Sequence, residues 1–92
     1  VTDQEVRNRL VRKLLRKRVV GSHKKQVDTV MNWLPSHEQG RGRRELEEMV
    51  SDPNEPVEAY GGGHRRNVRL TSVDGAVQYL RNNGGDVPFG FD

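Results

Sequence analysis

Pro56-Val57-Glu58-Ala59-Tyr60-Gly61-Gly62-Gly63-His64-Arg65-Arg66-Asn67-Val68-Arg69-Leu70-Thr71 reads as two short strands joined by a glycine-rich, basic tip. Val57 and Ala59 alternate along the first run, and Val68 and Leu70 along the second, as half-buried strands do. Glycine reaches the positive-φ conformations that tight reversals require, so Gly61-Gly62-Gly63 lets the chain fold back on itself. His64, Arg65 and Arg66 then project from the reversal and offer positive charge to a phosphate backbone.

Helical signals flank this hairpin on both sides. Downstream, Ser72 is suited to cap a helix carrying Val73, Ala76, Val77 and Leu80 at helical spacing, and Gly84-Gly85 can close it in the left-handed conformation. Upstream, Asp52-Pro53-Asn54-Glu55-Pro56 is a turn-rich break, because a proline keeps the residue before it out of helix. Before the break, Ser36-His37-Glu38-Gln39 has capping-box spacing, and Leu46, Met49 and Val50 supply the inward face of a helix running to about Ser51. Val27, Val30, Met31 and Leu34 follow the i, i+3, i+4, i+7 pattern of another helix, expected from Lys24 to Leu34 and stopped by Pro35. Thr2-Asp3-Gln4-Glu5 is a further capping box, opening a helix whose apolar face is Val6, Leu10, Val11, Leu14 and Leu15. Arg9, Arg12, Lys13 and Arg16 line its opposite face as a basic stripe.

The 92 residues are expected to form one domain, with 86–92 as a C-terminal tail. Only 32% of the residues are hydrophobic, so the core is thin or some apolar side chains find cover in a partner chain. The formal charge of +3 understates the grouping of basic residues into the first helix, the Arg41-Arg43-Arg44 cluster and the hairpin. Three basic clusters on a small domain favour an anionic partner, most often nucleic acid, although solubility alone also uses arginine and lysine. The absence of cysteine excludes a disulfide framework and a thiolate metal site. No run is apolar enough to suggest a signal peptide or a membrane span, and a soluble, cytoplasmic protein is expected.

In the helix that follows Ser36, His37, Arg41 and Arg44 share the outward face with Arg43 on its flank, while Glu45, Glu47 and Glu48 occupy the later turns. The helix dipole prefers the reverse placement of charge, by about 0.3 to 1 kcal/mol per group. A broken local rule points to function, and arginines at the front of a helix suit major-groove reading. The alternative is that Arg41 and Arg44 pair with Glu45 and Glu48 on a solvated face.

Three helices, a hairpin with a glycine-rich basic tip and a further helix resemble the winged helix-turn-helix family in their order and charge placement. The resemblance covers most of the chain and implies an α+β fold: three helices, a two-stranded wing hairpin and a C-terminal helix. It implies that the helix from Lys24 to Leu34 supports a recognition helix from Ser36 to Ser51, with Val57 to Thr71 as the wing. The function implied is sequence-specific binding of double-stranded DNA by a small transcriptional regulator. His37, Arg41, Arg43 and Arg44 would then read the groove, His64, Arg65 and Arg66 would bind backbone or minor groove, and Lys24 and Lys25 would anchor phosphates. A homodimer is expected through helix 1 or the Phe89/Phe91 tail. Pro35 stands at the junction where such motifs often carry a glycine, and the glycines here are Gly40 and Gly42.

Other chemistry finds little support. His23, His37 and His64 are far apart with no close-spaced ligand partner, so no metal or other cofactor is expected. The triple glycine lacks the Gly-Lys-Ser/Thr ending of a nucleotide-binding loop and leads into a strand. Trp33 suits core or edge packing better than base stacking. An enzyme is not expected; the other readings are a protein-interaction adaptor on the same fold and an RNA-binding accessory protein.

Overall fold

The computed structural model describes residues 2–60 and 66–91. Helix α1 spans Asp3–Arg16. It begins where expected, with Thr2 Oγ1 accepting from the Glu5 amide at 3.1 Å. Strand β1 (Lys25–Gln26) and helix α2 (Val27–Met31) follow, then a 3₁₀ turn (Ser36–Glu38) leading into α3 (Gln39–Val50). Strands β2 (Val57–Tyr60) and β3 (Asn67–Leu70) form the hairpin, and α4 (Val73–Asn82) closes the order. The class is α+β, with helices packed beside a three-stranded antiparallel sheet.

The hairpin register follows the alternation: Val57 pairs with Leu70 and Ala59 with Val68. The hairpin, however, is part of a three-stranded sheet and not a two-stranded unit. β1 pairs with the outer side of β3, Lys25 opposite Val68 and Gln26 opposite Asn67, giving the order β1-β3-β2. An unpaired β3 would expose a row of amide and carbonyl groups, and the short strand covers it. A parallel bridge from Val20 to Leu70 continues the cover, with the Leu70 amide donating to the Val19 carbonyl at 2.8 Å.

This pairing corrects the expected helix from Lys24 to Leu34. Lys25 and Gln26 are in β1, and the helix is reduced to Val27–Met31. Its apolar pattern survives, with Val27, Val30, Met31 and Leu34 all buried. The capping box at Ser36 does not form either: α3 starts at Gln39, and no side chain caps it. Gln39, the residue that would reach back to Ser36, instead donates its side-chain amide to the Leu34 carbonyl at 3.2 Å.

The core lies where α1 crosses the sheet and the other helices. Val6, Leu10, Val11, Leu14 and Leu15 contribute its largest block, joined by Leu46 and Met49 of α3, Val68 and Leu70 of β3, and Ala76 and Leu80 of α4. At Gly42 α3 meets the segment after α2 so closely that a β-carbon there would lie 2.4 Å from Leu34 Cδ1. Gly42 therefore sets the approach of these two elements. α4 is capped by Ser72, whose hydroxyl accepts from the Gly75 amide at 2.9 Å. Gly84, with φ +74°, ends it, and the Gly85 amide donates back to the Leu80 carbonyl at 2.8 Å.

Candidate nucleic-acid interface

The candidate interface is centred on α3. Gly42, Glu45, Leu46 and Met49 are its buried residues. At about 100° per residue, the face opposite them carries Gly40, Arg43, Arg44, Glu47 and Ser51. The Arg43 and Arg44 side chains are 51% and 60% exposed. Gly40 adds no side chain, and a β-carbon there would meet nothing within 4 Å. The α3 face is thus open and basic at its start.

Arg41 lies nearer α1, with its Nε 3.7 Å from Asp3 Oδ1. Arg44 Nη2 lies 3.7 Å from the same oxygen and its Nε 3.6 Å from Glu45 Oε2. Arg43 Nη2 donates to Asp28 Oδ1 of α2 at 2.8 Å. Arg44 forms no ion pair with Glu48 at i, i+4, because Glu48 is turned to Arg7 of α1. Arg7 of α1 donates to Glu45 at 2.7 Å, to Glu48 at 2.8 Å and to Glu55 at 3.3 Å. The hydrogen bond to Glu45, with the nearby negative charge of Glu45 and Glu55, raises the Arg7 pKa above its ordinary value.

Two carboxylates of this region are buried, Glu38 at 8% and Glu45 at 2% exposure. Their burial was not legible from spacing, since both stand in runs of polar residues. The only available signal is the cationic face of α1, whose Arg7 and Arg9 reach them. Buried charge needs a fixed partner, so these pairs hold α3 in one orientation on α1.

The hairpin is tied to the same helix. Arg66 Nη1 donates to Glu47 Oε2 of α3 at 2.5 Å, and the Val27 amide donates to the Arg66 carbonyl at 3.2 Å. Arg66, expected to contact backbone phosphate, thus joins the hairpin base to α3. Gly61–Gly63, His64 and Arg65 lie outside the described residues.

Lys25 lies in β1 and Lys24 just before it, not at the start of a helix. Lys24 Nζ sits 5.1 Å from the centre of the Tyr60 ring, and the Arg69 guanidinium 4.4 Å from the same ring. Arg69 also donates to Glu58 at 2.7 Å, which raises its pKa. His37 is exposed on the 3₁₀ turn, with Nε2 4.0 Å from the Glu38 carboxylate. Trp33 packs against the edge of the core under Lys17, whose Nζ lies 5.1 Å from the ring centre.

Sequence proximity in α3 therefore becomes spatial grouping for Arg43, Arg44 and Gly40, while Lys24, Lys25 and Arg66 gather at the sheet. Among the described residues, no group of three or more His, Asp or Glu is placed to hold a metal ion. No described helix is long and apolar enough to cross a membrane. Comparison with protein-family models, curated proteins and solved structures returns no match for this chain.

Proposed function

We propose that the chain is a winged helix-turn-helix domain that binds duplex DNA, with α3 in the major groove and the β2–β3 hairpin along the backbone, as in a small transcriptional regulator. The observation that carries this reading is the open start of α3. Arg43 and Arg44 stand exposed beside Gly40, where a groove wall can approach the helix backbone. Support also comes from the element order and from β1, which roots the hairpin in the body of the domain. The Arg66–Glu47 pair sets the hairpin beside α3, so helix and hairpin can meet one duplex together.

Under this reading the arginines exchange partners on binding. Asp3 and Asp28, 61% and 77% exposed, hold them in the free protein and give way to phosphates and guanine edges. His64 and Arg65 add contacts from the hairpin tip, and Lys24 adds phosphate affinity from the sheet edge. The domain gains specificity as a homodimer on paired half-sites.

The test is a selection of duplex sequences by the purified protein, followed by titration of a selected site and a scrambled site by fluorescence anisotropy. Arg43→Ala with Arg44→Ala should remove the preference for the selected site, by about 1 to 3 kcal/mol for each lost base contact. Lys24→Ala should weaken both sites alike and flatten the salt dependence. Failure to enrich any sequence would contradict sequence-specific binding.

A further inference from the structure

The arginines described on α3 and on the hairpin strands all lie within ion-pair distance of a carboxylate. Those at the far end of α1 do not. Arg12, Arg16 and Arg18 enter no ion pair among the described residues, and they line one cleft of about 340 Å³ with Pro88, Phe89 and Phe91. Arg12 Nε is buried with no hydrogen-bond partner. A buried donor left unpaired costs free energy, so Arg12 is held at this cleft against a local cost.

Phe89 stands over the cleft fully exposed, at 100%. A lone exposed apolar side chain is ordinary, but this ring is held on a built turn. Pro88 is buried, Phe91 packs against the core, and the Phe91 amide donates to the Pro88 carbonyl at 3.2 Å. Gly90 supplies the positive φ of +94° that the turn needs. The turn thus presents Phe89 outward on a fixed base.

Arg18 adds a backbone cost. It occupies φ +53°, the left-handed position that ends α1, with its amide donating to Leu15 and the Val19 amide to Leu14. Glycine is the usual residue in this motif, and a side chain there is strained. In return the guanidinium lies 4.7 Å from the centre of the Phe91 ring, at the mouth of the cleft. Strain kept at a cationic, aromatic cleft is a pointer to function.

We propose that this cleft docks an acidic peptide segment of another protein, with carboxylates on Arg12, Arg16 and Arg18 and an apolar side chain against Phe89. Arginine and aromatic residues are the side chains that dominate protein interfaces. Duplex DNA would meet the guanidiniums with phosphate and leave the ring in water. A second copy meeting this face across a two-fold axis would set arginine against arginine. Among the described residues no acid lines the cleft: Glu5 and Asp86 line the adjoining hollow beside Arg12, and Asp74 lies in the one beyond Arg18. The proposal does not depend on DNA binding by α3.

The experiment titrates the full chain into a fluorescein-labelled peptide of glutamates around one tryptophan, with an all-glutamate peptide and a thymidine oligonucleotide as further arms. Binding of the tryptophan peptide is expected, weaker by about tenfold for the all-glutamate peptide and for Phe89→Ala. Arg16→Glu should abolish it, while Arg43→Ala with Arg44→Ala leaves it unchanged. Arg18→Gly suits the helix end, keeps the fold and should weaken binding severalfold. No binding of the tryptophan peptide, or equal binding by Phe89→Ala, overturns the proposal. So does preferential binding of the oligonucleotide at this face, or a dimer in sedimentation that Phe89→Ala dissociates.

Discussion

Asp3 and Asp28 illustrate how single side chains set two properties against each other. Each sits in the first turn of its helix, where a carboxylate stabilises by about 0.3 to 1 kcal/mol through the dipole. Each also screens an arginine of α3. Asp3→Asn with Asp28→Asn should lower thermal stability slightly and raise duplex affinity a few-fold, read by melting and anisotropy on the same samples. Lower affinity would show that these acids position the arginines. Gly40 makes the opposite trade. With nothing within 4 Å of its β-carbon position, Gly40→Ala should stabilise α3, by up to about 1 kcal/mol from helix propensity. Gly40→Trp should leave the melting temperature near wild type and abolish duplex binding, because the ring would stand between helix and groove. Normal binding by that variant would place the DNA elsewhere.

The orientation of α3 depends on its contacts with α1 and α2. Arg7→Ala leaves the buried Glu45 carboxylate without its closest cation and should cost about 3 to 5 kcal/mol, measured by denaturant unfolding. Arg7→Met combined with Glu45→Leu removes both charges and should recover most of that loss. If the double variant were as unstable as the single one, packing by the Arg7 stem would be the larger contribution. α4 is tied to α1 through Gln4, whose side-chain amide donates to the Tyr79 hydroxyl at 2.9 Å. Burial, the leading cause, pushes the Tyr79 phenol above its ordinary 10.0. A raised folded value means that this contribution to stability is complete below the unfolded phenol's pKa and is lost as pH climbs through the folded one. Tyr79→Phe should therefore show a shallower fall in stability above about pH 10, after allowance for its lost hydrogen bond.

Across the molecule, legibility tracked the range of the interactions. α1, its apolar face and its Thr2 cap, the hairpin register and the Ser72 and Gly84 ends of α4 are local matters of spacing and capping, and the structure keeps them. β1 could not be read, because two residues carry no alternation and pair only once β3 is beside them. The same holds for the candidate site: Arg43 and Arg44 were visible as charge, but Asp3, Asp28 and the buried Glu38 and Glu45 join them only through the fold. The strained Arg18 and the outward Phe89 likewise follow from how α1 and the tail end against the core. The result is a domain with two basic faces, one held by its own acids and one without ion pairs among the described residues. Which face meets duplex DNA is read most directly by following backbone amide resonances of the isotope-labelled chain as duplex is added at low salt. The account predicts shifts at Gln39–Arg44 and at Arg66–Asn67, diminished by salt, with residues 89–91 unmoved. Shifts confined to α1 and residues 89–91, or none at all, would contradict it.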